Sequence, residues 1–155
     1  MVTRRSFILL TGALAAVPAA AQLPPNITQM RQAALRDAMR KVTGGAPVRA
    51  GKVKLSIPPL IDNGNTVPIS VTVDSPMTEK EHVKAVHIFT EKNPQPYVLT
   101  AHLGPRAGRA VVSTRGRIAD TGQVIAIAQM SDGSYWSDTV SVVVTLSACL
   151  EDGLI

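Results

Sequence analysis

The sequence predicts a mainly β chain, an antiparallel β-sandwich preceded by one N-terminal amphipathic helix. Three observations predict it. Apolar residues recur at helical spacing only once, near the start of the chain. About seven short runs then alternate apolar with polar residues and are rich in Val and Ile. Turn-forming clusters separate these runs, and the absence of helical pattern between them excludes an alternating β–α architecture.

The first residues stand apart from the fold. Arg4 and Arg5 precede a short apolar stretch and the small-residue site Ala19-Ala20-Ala21. This is the pattern of a cleaved export signal, and the paired arginines indicate the Tat route. Thr11, Gly12 and Pro18 interrupt the stretch, which is too short for a spanning helix. Residues 1–21 are therefore expected to be a Tat-type signal peptide, with no membrane association after cleavage and a periplasmic location. Residues 22–45 form the helical segment, 46–146 the sandwich and 147–155 a C-terminal tail carrying the single cysteine.

In the helical segment, Asn26 is a candidate N-cap. Ile27, Met30, Ala34, Leu35, Ala38, Met39 and Val42 follow as one apolar stripe, which must pack on something. Gly44 and Gly45 supply the stop.

Strands are expected over residues 53–57, 67–73, 83–89, 97–103, 110–115, 123–130 and 135–146. Val67, Ile69, Val71 and Val73 share one face, and Pro68 places its strand at a sheet edge or marks a strand start. Pro58-Pro59, Asp62-Asn63-Gly64-Asn65 and Asn93-Pro94-Gln95-Pro96 read as breaks. Ser131-Asp132-Gly133-Ser134 is the clearest hairpin signal.

Charge and composition narrow the function. The formal net charge is +5, and removing Arg4 and Arg5 with the signal lowers it to +3. Basic residues cluster at Arg31, Arg36, Arg40 and Lys41, and again at Arg106, Arg109, Arg115 and Arg117. Two Phe, two Tyr and one Trp give few stacking platforms, and no reading module is present, which excludes nucleic-acid binding. These clusters read as solvated faces. The sharper alternative is an oxyanion-binding module using Arg115 and Arg117.

No catalytic residue, cofactor site or metal site is expected. His82, His87 and His102 lack the close spacing of metal ligands, and His87 sits between Val86 and Ile88 within a strand. Nothing after Cys149 supplies the His or Met of a copper site. Ser131 and Ser134 belong to the Asp-Gly turn, no G-x-S-x-G elbow occurs, and Glu79 and Glu81 lie in a polar loop. Cys149 remains. A lone thiol in an exported chain stays inert, pairs with another chain, or carries something. Glu151 and Asp152 beside it disfavour the thiolate, which fits a carried group better than a catalytic nucleophile.

The ordered stretches Gly51-Lys52-Val53-Lys54-Leu55, Asn63-Gly64-Asn65, Val67-Pro68, Val73-Asp74-Ser75-Pro76-Met77 and His82-Val83-Lys84-Ala85-Val86-His87-Ile88-Phe89 resemble the SoxY family of thiosulfate-oxidation subunits. The likeness continues through Lys92-Asn93-Pro94, Val112-Ser113-Thr114-Arg115 and Met130-Ser131-Asp132-Gly133-Ser134-Tyr135-Trp136. It implies an immunoglobulin-like sandwich paired as a heterodimer with a SoxZ-like subunit. It also implies Cys149 as the covalent attachment point for sulfur intermediates, visited transiently by separate periplasmic Sox enzymes, with no catalysis by the carrier itself.

The tail departs from the family pattern. Family members typically end in Gly-Gly-Cys-Gly-Gly, whereas this chain reads Ser147-Ala148-Cys149-Leu150-Glu151 and continues to Ile155. The alternative is thus a non-carrier interaction or assembly subunit of a SoxYZ-like complex, with Cys149 inert or in an intermolecular disulfide.

Overall fold

The computed structural model describes residues 26–145. The helix α1 (Ile27–Thr43) begins where Asn26 accepts the Gln29 N–H on its side-chain oxygen at 2.8 Å. It ends where Gly44 turns into the left-handed region at φ 63° and donates its N–H to the Arg40 carbonyl. Arg40 and Lys41 in the last turn complement the negative end of the helix dipole.

Among the described residues nine strands follow: β1 (Val48–Ala50), β2 (Val53–Ser56), β3 (Leu60–Ile61), β4 (Val67–Val73), β5 (Val83–Thr90), β6 (Tyr97–His102), β7 (Val111–Gly116), β8 (Gly122–Met130) and β9 (Tyr135–Val144). One sheet runs β1-β9-β8-β5-β6, with β3 also on β9; the other runs β2-β4-β7. Their facing sides enclose the main core.

Period-two alternation makes this core. Val67, Ile69, Val71 and Val73 are 1%, 1%, 0% and 4% exposed, while Pro68 and Thr72 face solvent. Burial of each such aliphatic side chain contributes about 1.5–3 kcal/mol before the cost of chain ordering. β5 is buried almost throughout because both of its faces are covered. Val86 and Ile88 point into the inter-sheet core, whereas Phe89 joins Ile125, Ile127, Tyr135 and Leu35 in a second cluster. Ala38, Met39 and Val42 complete that cluster, so α1 forms a third layer on the outer face of the larger sheet.

The sandwich expectation is met, with two differences. β1 and β3 are additional strands, and both pair parallel with β9, so the fold is antiparallel except along that edge. Pro68 is a strand start, not an edge marker. β4 is the central strand of its sheet, and its pairing with β2 covers only Ser70 to Val73, so no ladder donor is needed from Pro68 on that side. The Asp-Gly turn forms as expected: Gly133 has φ 83° and the Met130 N–H donates to the Ser134 carbonyl at 2.9 Å.

Candidate functional site

The end of β9 is gripped from both sides. On one side the Val143 N–H donates to the Pro59 carbonyl at 2.8 Å and the Thr145 N–H to the Ile61 carbonyl at 2.9 Å. The Thr145 hydroxyl also donates to the Asp62 carbonyl at 3.2 Å. On the other side the Thr121 hydroxyl accepts the Val144 N–H at 3.0 Å. Val142 and Val144 are buried beneath this point while Val143 faces out, 52% exposed. The β-branched run therefore anchors the chain as far as Thr145.

Cys149 lies outside the described residues, four positions beyond that anchor. Four residues of chain span at most about 14 Å, and the anchored end of β9 stands at one end of the sandwich. Three loops build that end. Asn93 staples two of them: its side-chain amide donates to the Arg117 carbonyl at 2.9 Å and its oxygen accepts the Ala119 N–H at 2.7 Å. The Ile118 N–H donates to the Gly64 carbonyl at 2.8 Å, tying in the turn at 62–65. Asn93 and Thr121 are the positioning residues that sequence reasoning missed. In the sequence Asn93 is legible only as a turn former.

The other candidates stay dispersed. His87 is 7% exposed, with Nδ1 hydrogen-bonded to the Thr100 hydroxyl at 2.5 Å. Burial first, and the nearby His102 second, push its pKa below 6.5, so it stays neutral at neutral pH. Its Nε2 has no hydrogen-bond partner among the described residues. His82 sits at the start of β5 with Nδ1 on the Thr78 carbonyl at 3.1 Å, and His102 is exposed at the end of β6. Among the described residues no three His, Cys, Asp or Glu side chains are placed to hold a metal.

Ser131 and Ser134 are turn residues. Ser134 donates its N–H to Asp132 at 2.8 Å, and its hydrogen bonds hold that carboxyl below the usual carboxylate range. Glu81 pairs with Lys52 at 3.7 Å on the surface, and Glu79 is exposed. Arg115 and Arg117 do come together, lining one open groove with Asn93 and Tyr97 at the same end as the Thr145 anchor.

A family model described as sulfur oxidation protein SoxY matches residues 39–149. Among solved structures, the sulfur carrier protein SoxY from Chlorobium limicola f thiosulfatophilum superposes with a TM-score of 0.62 at 27% identity, over 74% of this chain and 99% of that one. A superoxide reductase (neelaredoxin) from Ignicoccus hospitalis gives a TM-score of 0.55 at 13% identity, over 61% of this chain and 80% of that one. The superoxide reductase from Nanoarchaeum equitans gives 0.52 at 12% identity, over 62% and 100%. The two reductases share the fold alone. No curated protein matches the chain. The family match spans well over half of the sequence and reaches through the cysteine: the chain belongs to the SoxY family of sulfur-oxidation proteins.

Proposed function

We propose that this chain is a periplasmic sulfur carrier, exported by the Tat route, that holds sulfur intermediates covalently on Cys149 and works as a heterodimer with a SoxZ-like subunit. One observation supports the reading above the rest: the family match ends on Cys149 itself, four residues after Thr145, where the end of β9 is held by hydrogen bonds on both sides. A short tether on a fixed post suits handing a thiol to visiting enzymes.

The chain supplies the thiol and separate Sox enzymes supply the catalysis. With thiosulfate as cargo, the Cys149 sulfur forms an S–S bond to the terminal sulfur of thiosulfate. Two electrons and the thiol proton leave in that step, the electrons to the oxidising enzyme. Attack by water on the outer sulfur then releases sulfate and two protons, leaving a persulfide on Cys149. Neither step asks for a base or metal on this chain.

A second reading is favoured by the residues around the thiol. Ser147, Ala148, Leu150 and Glu151 stand where the family has glycines. Side chains there narrow the backbone freedom that lets a thiol enter a slender active site. On that reading the chain is an assembly subunit of a SoxYZ-like complex. Intact mass of the protein, purified without reductant from thiosulfate-oxidising cells, separates the two. Reductant-sensitive added mass mapping to Cys149 is the carrier outcome. A bare thiol in actively oxidising cells, with the complex still formed by Cys149→Ala, is the assembly outcome.

A further inference from the structure

The helix stripe is only half covered. Leu35 is buried, yet Ile27 is 52% and Met30 58% exposed. These two side chains, with Arg31, Ala34 and Pro94, line an open groove of about 310 Å³. Through Ala34 it adjoins a second groove along Ala38, Val42, Pro96 and Tyr97. Asp37, Lys41 and Gln95 also line that second groove, so the apolar strip is the one at the N-terminal half of α1, along Ile27, Met30, Ala34 and Pro94.

This strip stands at the end of the molecule where β9 hands over to the tail. Asn93, next to Pro94, is stapled to the loop at 117–121, and Thr121 of that loop holds Val144. β9, β8 and β5 lie side by side, so Thr145 is two strand spacings, about 10 Å, from the loop that leaves β5. The α1 layer adds about 10 Å in the perpendicular direction, giving a separation of about 14 Å. Five residues from Thr145 to Leu150 span up to about 17 Å, and nine residues to Leu154 up to about 30 Å. The length of chain beyond Thr145 is therefore enough to reach the strip.

Composition matches as well as length. Residues 150–155 read Leu-Glu-Asp-Gly-Leu-Ile, three aliphatic side chains around two carboxylates. The first turn of α1 has no acidic residue, so its positive end is not offset by its own side chains, and Arg31 lines the groove. Leu150, Leu154 and Ile155 suit the Ile27–Met30 surface, while Glu151 and Asp152 suit the helix start beside Arg31.

We infer that residues 150–155 dock on the Ile27–Met30–Pro94 strip and hold Cys149 against the body of the protein until a partner displaces them. This goes beyond carriage: docking requires only the tail and the helix, and it is measured with no sulfur enzyme present. It also gives Leu150 and Glu151, two of the residues that stand where the family has glycines, a task, namely shielding the thiol between encounters.

The test is the rate at which N-ethylmaleimide labels Cys149 in three proteins: the full mature chain, Leu150→stop, and the double variant Ile27→Ser with Met30→Ser. A tail docked nine-tenths of the time slows labelling about tenfold. Both changes are expected to remove that slowing, and Leu150→stop to raise hydrogen exchange over residues 26–34. The serines replace side chains more than half exposed, so the fold is retained. Equal labelling in all three overturns the inference. So does protection of the helix that depends on protein concentration, which assigns the strip to a second copy. Protection lost on deleting residues 22–25 instead assigns it to the N-terminal leader and also overturns the inference. A failed docking test leaves the adduct measurement on Cys149 untouched, and the reverse also holds.

Discussion

The larger sheet has two apolar faces, and they are built to different standards. Between the sheets, a cluster of twenty buried residues draws on both sheets and the loops that join them, from Val53 on β2 to Val144 on β9. Against the helix, five buried residues suffice: Leu35, Phe89, Ile125, Ile127 and Tyr135. The first core is closed by strands that hydrogen-bond to one another. The second depends on a single element, α1, of which only the C-terminal half is covered. The sandwich thus holds itself together, and the helix is an addition whose stability is local.

The largest effect should come from the first core. Ile88 is fully buried at the centre of β5. Ile88→Ala removes three carbons and leaves a cavity among close-packed neighbours, at a cost of about 3–5 kcal/mol to global stability. A denaturant titration should show a shifted midpoint with unchanged slope. A loss below about 1 kcal/mol would mean that the two cores are not so unequal. Leu35→Ala is the matching change on the helix side, and about 2 kcal/mol is expected there. Its signature differs: hydrogen exchange should rise across α1 while the β5 and β8 amides keep their protection. Simultaneous loss in both regions would show one cooperative unit instead of two. Asn26→Ala is smaller again, about 1 kcal/mol, because it removes one cap hydrogen bond from the Gln29 N–H. It should raise exchange in the first turn alone.

The same contrast governs what was legible in advance. The inter-sheet core follows from alternation, so the faces of β4, β5 and β8 could be read directly. The ends of α1 could be read from Asn26 and Gly44, because caps are local chemistry. β1 and β3 could not, since strands of three and two residues exist only because β9 offers them an edge. Nor could the exposure of Ile27 and Met30: a stripe shows that packing is wanted, not where the partner layer stops. At the site, Cys149 stood out by its chemistry and by the resemblance around it. Its anchor did not, because Thr121 and Asn93 act through hydrogen bonds between loops far apart in sequence.

The smallest expected effect is conditional on pH and confined to the helix side. Among the described residues the buried polar or charged side chains are Thr43, His87 and Thr90, of which His87 alone is ionisable. His87 lies on the helix-facing side of β5, in register with Thr100 and Ile127, and Tyr97 donates its hydroxyl to the same Thr100 oxygen that His87 uses. Burial, then His102, lowers its pKa in the folded chain, whereas an unfolded chain protonates it near 6.5. Between the two values the unfolded state binds the extra proton, so the contribution of His87 to stability is complete above about pH 6.5. It declines as pH falls through the folded-state pKa and is constant below it. His87→Gln removes this dependence while carboxylate contributions remain common to both proteins. Subtracting the denaturation midpoints of variant from wild type, between pH 7.5 and 5, should therefore give a difference that falls with acidification, steepest below pH 6.5. A difference that grows on acidification would mean that His87 gains a partner when charged. The helix layer would then be held by a polar contact that the packing of Leu35 and Phe89 does not disclose.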